Sequence, residues 1–175
     1  MIEKEKLSGF IRTILKNICL IVGIIAVLEF VQGQNLRDDP LPRKLLEAHW
    51  PTLEGENRRL LTKSDSVHLI YVFAPWCQVC ALSASSINSL ELNYPSVALA
   101  MSYESRLELL EFKKEHQLKA PVILGGTDPW IQALGIEAFP SFFIVRGDGE
   151  IIYSWEGYSS LIGLKMKLWL AGIAS

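Results

Sequence analysis

Val67-His68-Leu69-Ile70-Tyr71-Val72-Phe73-Ala74-Pro75-Trp76-Cys77-Gln78-Val79-Cys80 changes character halfway along. Its first half is dominated by β-branched and aromatic residues and stops at Ala74-Pro75, the pattern of a central strand buried on both faces. Its second half places two cysteines at C-x-x-C spacing where a helix opens, with apolar Val79, Leu82, Ile87, Leu90 and Leu92 running on to Tyr94-Pro95. That geometry puts Cys77 at a helix N-terminus and Cys80 one turn later on the same face, so the two sulfurs can meet as a disulfide. Unpaired N–H groups and the positive end of the helix dipole favour the Cys77 thiolate. Cys77 is therefore the expected nucleophile and Cys80 the resolving thiol of a mixed disulfide, with no metal or organic cofactor required.

Outward from this motif, strands are expected at 97–101, 121–124, 141–145 and 151–155, and helices at 107–116 and 161–171. Asp128-Pro129 reads as a helix start, with Asp128 as N-cap rather than a functional acid. Arg146-Gly147-Asp148-Gly149-Glu150 is hairpin chemistry. Strand, helix, strand, helix, strand, helix, hairpin, helix is an α/β order with a mixed sheet. Phe139-Pro140 precedes the strand from Ser141, where a proline that cannot donate to the ladder is either an ordinary strand starter or a locked cis peptide. If cis, it would expose the Phe139 backbone beside the sulfurs as an edge for an extended client segment.

The N-terminal part is apolar from Phe10 to Val31, with Arg12, Lys16 and Glu29 near its ends. That length crosses a bilayer core if the terminal charges snorkel. Lys4, Lys6, Arg12 and Lys16 keep residues 1–9 cytoplasmic and send the chain beyond Val31 across. A cleaved signal peptide competes with this reading, but Val31-Gln32-Gly33 is a mediocre cleavage site, and a retained anchor over 10–31 is favoured. Cys19 inside it reads as apolar filler. Residues 32–49 are polar, carry Asp38-Asp39-Pro40-Leu41-Pro42, and read as a linker to a domain spanning 50–175.

With 175 residues and a formal net charge of −2, the chain suits one domain plus extensions and offers no basic surface for nucleic acid. The structural reading of a C-x-x-C is half a zinc site, but no second C-x-x-C exists, and His49, His68 and His116 lack ligand spacing. Two cysteines can also hold Cu(I), which leaves a non-enzymatic copper-binding protein as an alternative. A peroxidase of this general pattern would carry Thr or Ser four residues before its cysteine, where Phe73 stands.

Trp76-Cys77-Gln78-Val79-Cys80 after a buried strand, with Phe139-Pro140 before the Gly147-Asp148-Gly149 hairpin, resembles the thioredoxin-like proteins of the TlpA/ResA type. Gly157-Tyr158-Ser159-Ser160 and the run from Gly163 to Leu170 look like the membrane-anchored ScsD-type branch, linked to copper-stress tolerance. The resemblance runs from about Trp50 to Ala171. It implies a thioredoxin-like three-layer fold with a cis Pro140, on the periplasmic side of a bacterial inner membrane. It also implies a reducing role toward client proteins, fed by a transmembrane electron carrier. Trp76 and Pro75 flank the nucleophile, where residues of this family shape the client surface, with plain packing as the competing reading; Phe139, with Pro140, would either screen the sulfurs from water or contact a client.

Two positions depart from the family. Thioredoxins bury an Asp six residues before the first cysteine, where this chain has Tyr71, and many TlpA/ResA-type reductases carry a Glu three residues after the second, where it has Ser83. Neither usual carboxylate is there to move the resolving thiol's proton. Their loss removes negative charge opposing a thiolate at Cys77 and pulls the couple toward an oxidant, so a disulfide oxidase of the same fold stays open beside the reductase.

Overall fold

In a computed structural model of the chain, residues 12–21, 23–24, 39–62, 66–90, 94–126 and 129–173 are described. They belong to two compact units, 1–32 and 33–175. In the first, residues 12–21 and 23–24 are helical, and Ile14, Leu15, Ile18, Leu20, Ile21 and Ile24 are exposed. The rest of the expected span 10–31 and the tail 1–9 lie outside the described residues. Among the described residues no helix is long and apolar enough to cross a membrane.

The second unit is built on a five-stranded mixed sheet. Strand β3 (Val67–Phe73) is buried along its whole length, and alternation sends Leu69, Tyr71 and Phe73 to one face and Ile70 and Val72 to the other. It pairs in parallel with β4 (Ser96–Met101), which pairs in parallel with β5 (Val122–Gly126). On its other side it pairs antiparallel with β6 (Ser141–Arg146), which continues antiparallel into β7 (Ile151–Glu156), giving the order β5-β4-β3-β6-β7. One face carries α2 (Gln78–Asn88), α3 (Arg106–Glu115) and α5 (Leu161–Ile173), through Cys80, Ala84, Ile87, Leu109, Phe112, Leu164 and Leu168. The other carries α1 (Arg43–Glu47) and α4 (Trp130–Leu134), through Leu45, Trp130 and Leu134. The β6–β7 hairpin closes with Arg146 N–H donating to Glu150 O at 2.8 Å, and Gly149 takes φ +97°, which glycine alone adopts at no steric cost.

Three expectations need correction. Residues 39–49 are not all linker: Leu41 and Leu45 are buried, and the Leu41 N–H donates to Gly149 O at 2.8 Å. Apolar side chains among polar neighbours were enough to draw this stretch onto the sheet, and the Trp50 indole donates to Leu45 O at 3.0 Å to fasten it. A two-stranded ladder of β1 (Trp50–Pro51) and β2 (Asn57–Arg58) comes next, and neither strand was foreseen. Helix α4 begins at Trp130 with Pro129 at its cap, one residue later than expected, and Asp128 lies outside the described residues.

Candidate redox site

Cys77 sits where β3 ends and α2 begins. Its N–H donates to Ala74 O at 3.1 Å, its backbone stays extended, and its sulfur caps the helix by accepting the Cys80 N–H at 3.2 Å. Sulfur and backbone donor thus meet as the C-x-x-C spacing requires. Cys77 is 8% exposed and Cys80 fully buried, and both are free thiols. The outer sulfur can reach a client while the inner one lies behind it.

The loop before β6 comes to the same point. The Phe139–Pro140 peptide is cis, and the Cys77 thiol reaches the Phe139 carbonyl at 3.6 Å. Pro140 is buried and its carbonyl accepts the Gly157 N–H at 2.8 Å. Trp76 is 63% exposed, so packing alone does not explain it. Its indole donates to Ser102 O at 2.9 Å and meets the Phe139 ring edge to face, centroids 6.0 Å apart. Val79 and Leu82 in α2 are also exposed. The structure therefore brings together Trp76, Cys77, Cys80, Phe139 and Pro140.

The two departures sit differently. Ser83 is buried and its hydroxyl donates back to Val79 O at 2.9 Å, a bond within its own helix. Tyr71, fully buried, donates its hydroxyl to Cys80 O at 2.7 Å. Burial pushes the Cys80 thiol well above the ordinary thiol range and the Cys77 sulfur adds to the rise, while the Ala74 backbone and the Tyr71 hydroxyl work against it. Burial likewise drives the Tyr71 phenol up, with the two cysteines reinforcing it, so the hydroxyl keeps its proton.

Sequence reasoning missed Glu156 altogether. The β6–β7 register sets it opposite Ser141, and its carboxylate accepts the N–H groups of Glu137 and Ala138, each at 2.8 Å. It therefore holds the loop that delivers Phe139. No local pattern announces it, because the contact exists only once β7 is paired. The histidines stay apart. His68 is buried at the start of β3 and accepts the Thr62 N–H at 3.3 Å, His116 ends α3 against the Phe112 ring, and His49 is exposed. Among the described residues no three or more His, Cys, Asp or Glu side chains form a group that could hold a metal ion.

An arrangement of one outer sulfur, one fully buried sulfur a helical turn behind it, and the Phe139 backbone beside them suits thiol–disulfide exchange. Solved structures share the fold. A thiol:disulfide interchange protein from Chlorobium tepidum is 18% identical, with a TM-score of 0.64 over 77% of this chain and 97% of its own. A secreted disulfide oxidoreductase from Mycobacterium tuberculosis is 16% identical, with a TM-score of 0.60 over 74% and 99%. StoA from Bacillus subtilis is 18% identical, with a TM-score of 0.56 over 69% and 94%. These likenesses show a thioredoxin-like α/β fold. No curated protein matches the chain. The Redoxin family model matches residues 49–161, from the strand before the buried core to the last helix, and the chain belongs to that family.

Proposed function

We propose that this Redoxin-family thiol–disulfide oxidoreductase is tethered by residues 10–31 to a bacterial inner membrane and reduces client disulfides on the periplasmic side. The observation that carries the exchange chemistry is the Cys77 sulfur at the start of α2, accepting the Cys80 N–H with the Phe139 carbonyl beside it. The Cys77 thiolate attacks one sulfur of a client disulfide; a Cys77–client bond forms, the client bond breaks, and the departing sulfur takes a proton from solvent. Cys80 then loses its proton and attacks Cys77, forming the Cys77–Cys80 disulfide and releasing the second client sulfur as a thiol. Two electrons pass to the client, and a membrane electron donor returns them to the pair.

Two of the similar structures are of a thiol:disulfide interchange protein and a secreted disulfide oxidoreductase, which supports both the chemistry and the compartment. Positive charge before the apolar run supports the orientation, and the ScsD-like stretch from Gly157 to Leu170 supports the anchored branch and a setting of copper stress.

Equilibration of the Cys77–Cys80 couple against glutathione buffers tests the direction. A potential near the roughly −270 mV of thioredoxin supports the reductase, and one near the roughly −120 mV of DsbA replaces it with an oxidase. Stoichiometric Cu(I) uptake without disulfide turnover would replace both with a copper-binding protein. For the tether, the full-length chain should sediment with membranes and resist alkaline extraction; a soluble, shortened product would mean that the segment is a cleaved leader.

A further inference from the structure

We infer that Tyr71 is the positioning residue for the resolving sulfur, a neutral hydrogen-bond donor buried beside Cys80. The inference rests on the exchange reading of Cys77 and Cys80. Tyr71 lies in the middle of β3, and its hydroxyl donates to the Cys80 carbonyl at 2.7 Å from a fully buried position. That bond fixes the hydroxyl against the residue that bears the resolving thiol. The hydroxyl of Ser83, three residues beyond Cys80 and also buried, donates to Val79 O instead.

The ring is held in place by its neighbours. Register sets Tyr71 opposite Phe142 and Phe142 opposite Trp155, a row of three rings across three strands. Tyr71 stacks on Phe73 and on Phe142 with centroids 5.4 Å away in each case, and Phe142 stacks on Trp155 at 5.0 Å. The Lys167 ammonium caps the row, 4.0 Å above the Trp155 ring. With the ring fixed, the freedom left to the hydroxyl is rotation about its C–O bond, and in the inferred step its proton turns from the carbonyl toward the Cys80 sulfur as the thiolate forms. Among the described residues the groups packed around this donor are mostly apolar. Cys77 is the titratable neighbour from the helix start, β4 offers Ala98 and Ala100, α3 offers Leu109 and Phe112, β6 offers Phe142 and Ile144, and α5 offers Lys167 behind Trp155.

The chemical consequence is specific. A buried phenol that keeps its proton cannot take one from Cys80, so Tyr71 is not a base. It lowers the cost of the thiolate that forms when the Cys80 proton passes to solvent and its sulfur bonds to Cys77, displacing the client sulfur. Tyr71 ends the step as it began, protonated.

The test uses the full chain carrying Cys19→Ala, reduced and mixed with the chromogenic aryl disulfide dithionitrobenzoate in a stopped-flow cell. Attack by Cys77 releases a first aryl thiolate, and closure by Cys80 releases a second. Tyr71→Phe should leave the first phase at the wild-type rate. The second should slow roughly tenfold to a hundredfold at neutral pH, as expected for losing a hydrogen bond to a charged group, with the midpoint of its pH profile moved upward. A second phase with wild-type rate and pH profile would overturn the inference, as would an equal slowing of both phases. If Tyr71→Phe does not fold, a ring-fluorinated tyrosine at position 71 keeps the shape and strengthens the donor. Faster closure then supports the role, and unchanged closure removes it. A wild-type chain that never releases the second thiolate would defeat the exchange reading and this inference together.

Discussion

The Cys77 sulfur lies 3.6 Å from the carbonyl of Phe139, a residue 62 positions further along the chain. The contact joins the helix start to the loop before β6, so a client segment lying along that loop meets the accessible sulfur first and Cys80 only afterwards. The order of attack follows from burial. Cys77→Ser should abolish turnover with a model disulfide protein, whereas Cys80→Ser should keep the first step and accumulate Cys77–client mixed disulfides, visible on non-reducing gels. Turnover retained in Cys77→Ser would place the chemistry elsewhere.

Glu156 predicts a separable effect on the same loop. Its carboxylate accepts two backbone N–H groups just before Phe139, from Glu137 and Ala138. Glu156→Ala frees the loop, so KM for a protein client should rise several-fold while kcat changes little; the stability cost should be about 1–3 kcal/mol, that of losing hydrogen bonds to a charged group. Glu156→Gln retains an acceptor oxygen and should recover most of the KM. Equal losses in both variants would mean that charge rather than loop placement matters there.

Leu45 tests whether α1 belongs to the domain. Its side chain is buried in the cluster that includes Trp130 and Leu134, beside the Trp50–Trp130 ring pair at 4.6 Å. Leu45→Ala should cost about 2–5 kcal/mol in urea unfolding, the range for emptying a buried leucine site. A linker residue would show almost no change.

These predictions also mark where the sequence was legible. Strand β3 could be read to the residue because a short run rich in β-branched and aromatic residues, ended by Ala74-Pro75, suits a buried strand, and the C-x-x-C placed the start of α2 for the same reason its sulfur now caps it. Helix α1 has five residues and β1 and β2 two each, too short for any periodicity to register. They are held by distant partners instead, as in the Leu41 bond to Gly149 and the Thr52 bridge to Ile123. The site divides in the same way. Cys77, Cys80, Trp76, Phe139 and Pro140 were visible as local motifs. Tyr71 was visible as a missing acid but not as a donor, since its reach to Cys80 depends on how α2 packs over β3. Glu156 needed the strand register before it had any meaning.

The raised Cys80 thiol gives a pH prediction whose sign is fixed. Burial, reinforced by Cys77, keeps this thiol protonated in the folded protein beyond the range where an ordinary thiol ionises. Above about pH 8.5 the unfolded chain's Cys80 loses its proton and the folded one does not, so the unfolded state gains. The stability contribution is fully present below that pH and falls by about 1.4 kcal/mol for each further pH unit until the folded thiol ionises. Reduced Cys80→Ser lacks the group and shares every other, including Cys77 and the similarly raised Tyr71. Denaturant unfolding at about pH 7 and about pH 9.5 should therefore show the reduced wild type losing about 1.4 kcal/mol more than Cys80→Ser between the two. Equal losses would mean that burial does not hold the Cys80 proton, and the resolving thiol would then need no donor to help it ionise.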